Sequence, residues 1–326
     1  MMRSRSVQGL VLLAALAAAG ASQAVPRTFV ASYGTDANAA SNCGPTAPCR
    51  SFNSALSVTS PGGELIVVDS AGYGPAPVNI TQSVSIIVPD GVYAGIAVPP
   101  GVDGIDVNGA GIDVVLRGLA INSESPAGTN RGIYMSNGAR LTIEGCAVTG
   151  FGSPAAGYSD TTGAGIHINT QASVLIKDTI VRNSNWGLRF GGGALATLVR
   201  VMAIGNREGI AAAGSAADTM NTVVTVSDSL SSNNAGAGYW SAGTVFCTTC
   251  SSMLVLRRVE SALNGWGIYT EPGGTVYVSA SHSTTDTDCG LCNFGGTLNS
   301  SNDNVVDNTS VLTTGTITNV AGSNTF

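Results

Sequence analysis

The run Val114-Val115-Leu116-Arg117-Gly118-Leu119-Ala120-Ile121 returns as Leu141-Thr142-Ile143-Glu144-Gly145-Cys146-Ala147-Val148. The same β-branched pattern recurs around Ile176, Val199, Val226, Leu256 and Val278. Between the copies falls a second motif, Gly followed by Ile or Leu: Gly132-Ile133, Gly165-Ile166, Gly187-Leu188, Gly209-Ile210, Gly267-Ile268 and Gly290-Leu291. Repetition on this scale marks a solenoid, in which each repeat buries its apolar face against the next. Aligned on Leu116, the column Leu116, Ile143, Ile176, Val199, Val226, Leu256, Val278 has spacings of 27, 33, 23, 27, 30 and 22 residues. The basic unit is therefore near 22 or 23 residues. The excess sits in Gly/Ser/Pro-rich insertions at Phe151 to Thr162, Ala213 to Thr222 and Ser241 to Ser252.

Within each run, apolar and polar residues alternate, as a half-buried strand requires. The column three residues further on reads Leu119, Cys146, Thr179, Met202, Ser229, Val259, Ser281. It places Cys146 inside as a small core thiol. Asn183, Asn206 and Asn264 each precede a Gly-Ile step. Asn and Gly tolerate left-handed backbone and so turn the chain sharply, and an Asn side chain can also bond to a neighbouring coil. Short strand, turn, short strand per repeat spells an all-β parallel β-helix. An antiparallel sandwich would show hairpin signals without a fixed register, and a leucine-rich repeat would show its own leucine spacing. Helical periodicity is confined to Cys49 to Val58.

Arg3 and Arg5 precede an apolar stretch from Val7 to Ala19 and the small-residue site Ser22-Gln23-Ala24. This reads as a signal peptide over residues 1–24, too short for a comfortable membrane span, followed by a secreted or periplasmic chain. No later segment is apolar enough to cross a bilayer. Residues 25–60 form an N-terminal cap with a Cys43–Cys49 loop, 61–308 the β-helix, and 309–326 a Ser/Thr/Asn-rich last coil or tail. A net charge of −6 and a single lysine, Lys177, argue against nucleic acid. In an exported chain, Cys43 with Cys49, Cys247 with Cys250 and Cys289 with Cys292 read first as disulfides. Two C-x-x-C pairs also form a zinc-ribbon ligand set, and free thiols are the third reading.

The letters of the N-terminal segment carry a resemblance. Arg27-Thr28-Phe29-Val30, Gly34-Thr35-Asp36-Ala37-Asn38, Ala47-Pro48-Cys49-Arg50-Ser51-Phe52, Gly62-Gly63-Glu64 and Gly72-Tyr73-Gly74 resemble the opening segment of exported bacterial β-helix proteins of the pectin-lyase-like superfamily. The resemblance implies a right-handed parallel β-helix with three sheets and an association with polysaccharides. The Asn-Thr-Asp, paired Asp and Gly-His-Gly strings of polygalacturonases are absent, as are recognisable pectate-lyase motifs. No catalytic residue carries over, and fold alone licenses no enzymatic claim.

Two outward columns hold the candidate site residues. One reads Arg117, Glu144, Lys177, Arg200, Ser227, Arg257, Ser279, either a salt-bridged solvent face or a basic stripe for an acidic glycan. The other reads Tyr134, His167, Arg189, Ala211, then Tyr269 and Cys292. A ring, an imidazole and a guanidinium on successive coils can bind a sugar and its carboxylate, and His167 and Arg189 are the weak candidates for acid–base chemistry. Ordinary exposed side chains are the plain alternative. Trp186 and Trp266 extend a sugar platform or plug turns. His282, Asp286 and Asp288 form either a cation site beside the cysteines or a polar loop. No cofactor is expected, since neither calcium nor zinc has a clear motif.

The expected function is binding of a polysaccharide or cell-surface glycan by a monomer, with Tyr134, His167, Arg189, Lys177 and Arg200 as substrate-binding residues. The alternatives are a polysaccharide lyase or glycoside hydrolase acting on an acidic polymer, and a structural or adhesive solenoid.

Overall fold

The computed structural model describes residues 24–125, 130–153, 163–213, 220–243, 250–307 and 310–320. The expected signal peptide (apart from Ala24), the tips of the three insertions and Cys247 lie outside these residues. Among the described residues the strands form three sheets of 12, 10 and 10 strands, and every strand pairing is parallel. Each coil gives one strand to each sheet in turn, as in Asp113–Arg117, Leu119–Ser123 and Arg131–Asn137, before the next coil begins at Arg140. This is a right-handed parallel β-helix, the hand that twisted strands impose on parallel crossovers. Among the described residues no helix is long and apolar enough to cross a membrane.

The N-terminal segment is woven into the solenoid. Val25–Val30 is the edge strand of the 12-stranded first sheet and pairs with Thr59–Val67. The helix expected between Cys49 and Val58 is one short turn, Phe52–Leu56, capped by Ser51. Phe52 and Leu56 bury against the open end of the core, and a disulfide joins Cys43 to Cys49. At the other end, Thr313–Thr314 and Ile317–Val320 complete a last coil.

The core column of the first sheet is Leu116, Ile143, Ile176, Leu198, Val226, Leu256 and Val278, each at most 3% exposed. Leu198, not Val199, pairs with Ile176 and Val226. Val199 faces outward beside Lys177. The next inward column shifts with it: Val201 is buried and Met202 half-buried. A coil of 22 residues after Ile176 falls on Leu198, but adjacent Leu and Val leave the strand's phase ambiguous in sequence. Cys146 lies inside, and burial pushes its thiol up to about 11.

Glycine is needed in the Gly-Ile step for space and not for a left-handed backbone. A Cβ on Gly187 would meet the Gly209 carbonyl oxygen at 2.5 Å, and one on Gly165 would meet that of Gly187 at 2.9 Å. Left-handed residues stand instead at the corners. Gly145, Asp178, Arg200, Asp228 and Arg258 do so between the first and second sheets, and Asn183, Gly205 and Asn233 between the second and third. Asn183 is therefore an exposed corner residue outside the internal ladder.

That ladder runs Ser184, Asn206, Asn234, Asn264, Asp286. Each side-chain oxygen from Asn206 onward accepts the backbone N–H of the rung before, at 2.9–3.0 Å. Asp286 terminates it. Its Oδ1 accepts from the backbone and side-chain nitrogens of Asn264, and its Oδ2 from Ser283 and Ser261. Asp286 is thus a buried structural group, whereas His282 and Asp288 are exposed. Burial raises its pKa against the lowering by these hydrogen bonds. A raised carboxyl pKa means the folded state holds the proton more tightly, so stability falls as pH rises through the carboxylate range. Asp286→Asn keeps the ladder and removes the charge. It is expected to add about 1 kcal/mol at pH 7, a gain that disappears below about pH 4. Urea unfolding at both pH values measures this, and a loss at pH 7 would refute it.

Candidate functional site

The third sheet carries the Gly-Ile strands, and its outer face holds two columns in register. Through successive pairings the first reads Asn79, Asp106, Tyr134, His167, Arg189, Ala211, Trp240, Tyr269, Cys292. The second reads Arg131, Ala164, Trp186, then Glu208 on the next strand, and continues through Ala237, Trp266 and Cys289. The structure therefore brings Tyr134, His167 and Arg189 onto three adjacent strands. It does so because each side chain follows the inward residue of its Gly-Ile step, and period-2 alternation turns it outward.

At the N-terminal end of this face, the Tyr134 and His167 rings lie 5.4 Å apart at 43°. The Arg131 guanidinium stands 3.4 Å from the Tyr134 ring centroid while bonding both carboxylate oxygens of Asp103 at 3.1 and 2.7 Å. Arg189 is buried, 2% exposed. It lies 4.9 Å over the Trp186 ring and donates to the Ala213 carbonyl at 3.4 Å. Burial, then the Arg189 and Arg131 cations, hold the His167 pKa well below its ordinary value. The ring is neutral at pH 7.

A depressed histidine pKa makes stability fully present above the unfolded value of about 6.5 and progressively lost below it. As pH falls below that value the slope is expected to rise toward about 1.4 kcal/mol per pH unit. His167→Asn should flatten it. An unchanged slope in that variant would show that His167 titrates normally in the folded state.

The middle of the face is closed by a second apolar cluster, outside the solenoid core, of Trp186, Trp240 and the alanines 164, 211, 213, 237 and 242. Trp186 and Trp240 stack at 5.2 Å and 10° although a strand separates theirs. Ala211 on that strand leaves room for the indoles. Trp240 donates to Glu271 at 3.1 Å, and so does Tyr269, at 2.7 Å. Beyond them, Tyr269 packs against Trp266 at 5.3 Å and against Phe294 at 5.2 Å. Phe294 is 47% exposed. A Cys289–Cys292 disulfide spans the two columns. Cys250 is also disulfide-bonded. The Cys43–Cys49 and Cys289–Cys292 bonds fit an oxidising compartment. Among the described residues, no three His, Cys, Asp or Glu side chains are placed to share a metal ion.

Lys177 and Arg200 lie elsewhere, at the corner between the first and second sheets. One groove there, of about 350 Å³, is lined by Arg117, Glu144 and Lys177, and another, of about 560 Å³, by Arg200, Asp228, Arg258 and His282. Neither groove includes Tyr134, His167 or Arg189. Arg200 does not follow Lys177 in its column but occupies the left-handed corner, paired with Asp178 at 2.6 Å. Glu144 accepts both Arg117 at 2.5 Å and Lys177 at 2.9 Å, and Arg258 pairs with Asp228 at 2.6 Å. Of the two readings of this column, these residues match the salt-bridged face.

Several residues of the outer face escaped the sequence reading, among them Asp106, Trp240 and Phe294. Asp106 follows Gly104-Ile105, one step before the column as read. Trp240 follows Gly238-Tyr239, where tyrosine replaces the expected Ile or Leu. Phe294 comes two residues after Cys292.

No family model matches the chain, and no curated protein matches it. Among solved structures it is similar to the Dettilon tailspike protein, with a TM-score of 0.49 and 15% identity over 80% of this chain. It is also similar to pectate lyase Pel9A, with a TM-score of 0.47 and 13% identity over 93% of this chain and 82% of that one. The chain spans 59% of the tailspike's length.

Proposed function

We propose that this is an exported solenoid that binds a polysaccharide or surface glycan along the outer face of its third sheet. The observation that carries this reading is the in-register row on that face. It runs from Asp106, Tyr134 and His167 at one end to Trp266, Tyr269 and the exposed Phe294 at the other. A sugar offers an apolar ring face and a hydroxyl edge. Aromatic rings beside fixed polar groups match both. From Asp106 to Cys292 the row crosses eight strands, roughly 34 Å at the inter-strand spacing, which suits a chain of sugars more than a single one. Two contact patches on one polymer also bind with an effective concentration that neither has alone.

The geometry supports binding over catalysis. A histidine held neutral well below pH 6.5 is a poor general acid near pH 7. Arg189 is packed under its neighbours, where a substrate carboxylate cannot reach it without rearrangement. Binding is tested on arrays of neutral and acidic glycans. The Tyr269→Ala/Phe294→Ala pair is expected to weaken retention about tenfold or more. If the unaltered protein binds no glycan, or the pair binds equally well, an adhesive or purely structural solenoid is the better description.

A further inference from the structure

Resting on that reading, we infer that the glycan is neutral and that Asp106 is the side chain that engages its hydroxyls. The charges of the face are already spent within the protein. Arg131 is held by Asp103 through two bonds, and Arg189 is buried on Trp186. Against these two cations stand Asp103, Asp106, Glu208 and Glu271, on a chain whose net charge is −6. A polyuronate would meet repulsion here and would have to break the Arg131–Asp103 pair to gain a cation. The corner grooves offer no substitute, because Lys177 and Arg200 are paired with Glu144 and Asp178.

Asp106 stands apart from these pairs. Among the described residues its Oδ1 is buried with no hydrogen-bond partner. The residue is half-buried, in register between Asn79 and Tyr134. Burial, then the neighbouring Asp103 carboxylate, raises its pKa against the pull of Arg131. A half-buried carboxylate without a donor is costly, and a ligand donor at its accessible edge recovers part of that cost. A sugar hydroxyl beside the Tyr134 ring supplies such a donor. Its bond to a carboxylate is of the stronger, charge-assisted kind. No net charge then moves between solvent and site.

The test compares the full chain with three soluble polymers: a neutral hexose polymer, a polyuronate and a deacetylated amino-sugar polymer. The neutral polymer is expected to bind, with an affinity that changes less than about twofold between roughly 0.05 and 0.5 M salt. Asp106→Asn should weaken that binding about tenfold, with an unfolding midpoint no lower than that of the unaltered protein, since it removes a carboxylate that burial disfavours. Asp106→Glu, which keeps the carboxylate but moves it, should fall between the two. Preferential, salt-sensitive binding of the polyuronate or of the amino-sugar polymer would overturn the inference while leaving glycan binding intact. So would neutral-polymer binding that Asp106→Asn leaves untouched. Failure of all three polymers to bind the unaltered protein overturns the glycan reading itself, and this inference with it.

Discussion

Asn234→Ala is expected to cost about 3 kcal/mol or more of folding free energy. Asn234 is the middle rung of the internal ladder and is 2% exposed. Its Oδ1 accepts from the backbone and side-chain nitrogens of Asn206, at 2.9 and 3.2 Å. Its Nδ2 donates to the Ala203 carbonyl, the Ser231 hydroxyl and the Asn264 side chain. Truncation leaves the Asn206 N–H without its acceptor at a site closed to water, and each such orphaned group costs about 1–3 kcal/mol. The loss reaches beyond one coil, because each rung fixes the next. Urea unfolding should show the midpoint falling sharply, whereas Asn122→Ala at an exposed strand position should stay within about 0.5 kcal/mol. Equal midpoints for the two variants would mean that the ladder contributes no net stability.

Trp240→Ala is expected to cost about 3–4 kcal/mol, a core-sized effect from a residue that points away from the core. The indole is 2% exposed, stacks on Trp186 and bonds to Glu271. Removing it opens a space over alanines too small to fill it. A double-mutant cycle with Trp186→Ala should give a coupling of about 0.5–1.5 kcal/mol, the usual range for an aromatic pair. A cost below about 1 kcal/mol would mean that the outer layer is loosely packed. The same variant separates stability from recognition. Tyr134 and His167 lie strands away from Trp240, so binding at that end is expected to survive where the fold does.

The solenoid was legible in the sequence because two independent periods coincide in it. Alternation of two within a strand says which side chains face inward, and the recurrence of the Gly-Ile step says that successive strands stack. Cys146 could be placed inside on that basis alone, and Tyr134, His167 and Arg189 onto one face. The reading slipped where local chemistry is ambiguous. Leu198 and Val199 are both apolar neighbours, so either could point inward, and the choice carried Arg200 and Met202 with it. Asn183 and Asn206 look alike in sequence. Only the coil's path sets one at an exposed left-handed corner and the other in the buried ladder.

The charges show the same division. Arg117, Lys177 and Arg200 left open a salt-bridged face or a basic stripe, and which of the two holds depends on carboxylates in the coils beside them. Glu144 stands there by strand register and Asp178 at the corner beside Arg200. Asp106 and Trp240 each occupy the position after the inward residue, as Tyr134 does, so the repeat already assigned their orientation. What the repeat could not assign is their surroundings. Asp106 keeps an unpartnered oxygen and Trp240 forms part of a second apolar layer, both set by contacts between residues far apart in the chain. By itself the sequence determined the direction each side chain leaves the coil, because strand geometry is local. Only the tertiary structure decided which groups meet, because that depends on how side chains pack across coils and corners, and packing has no period.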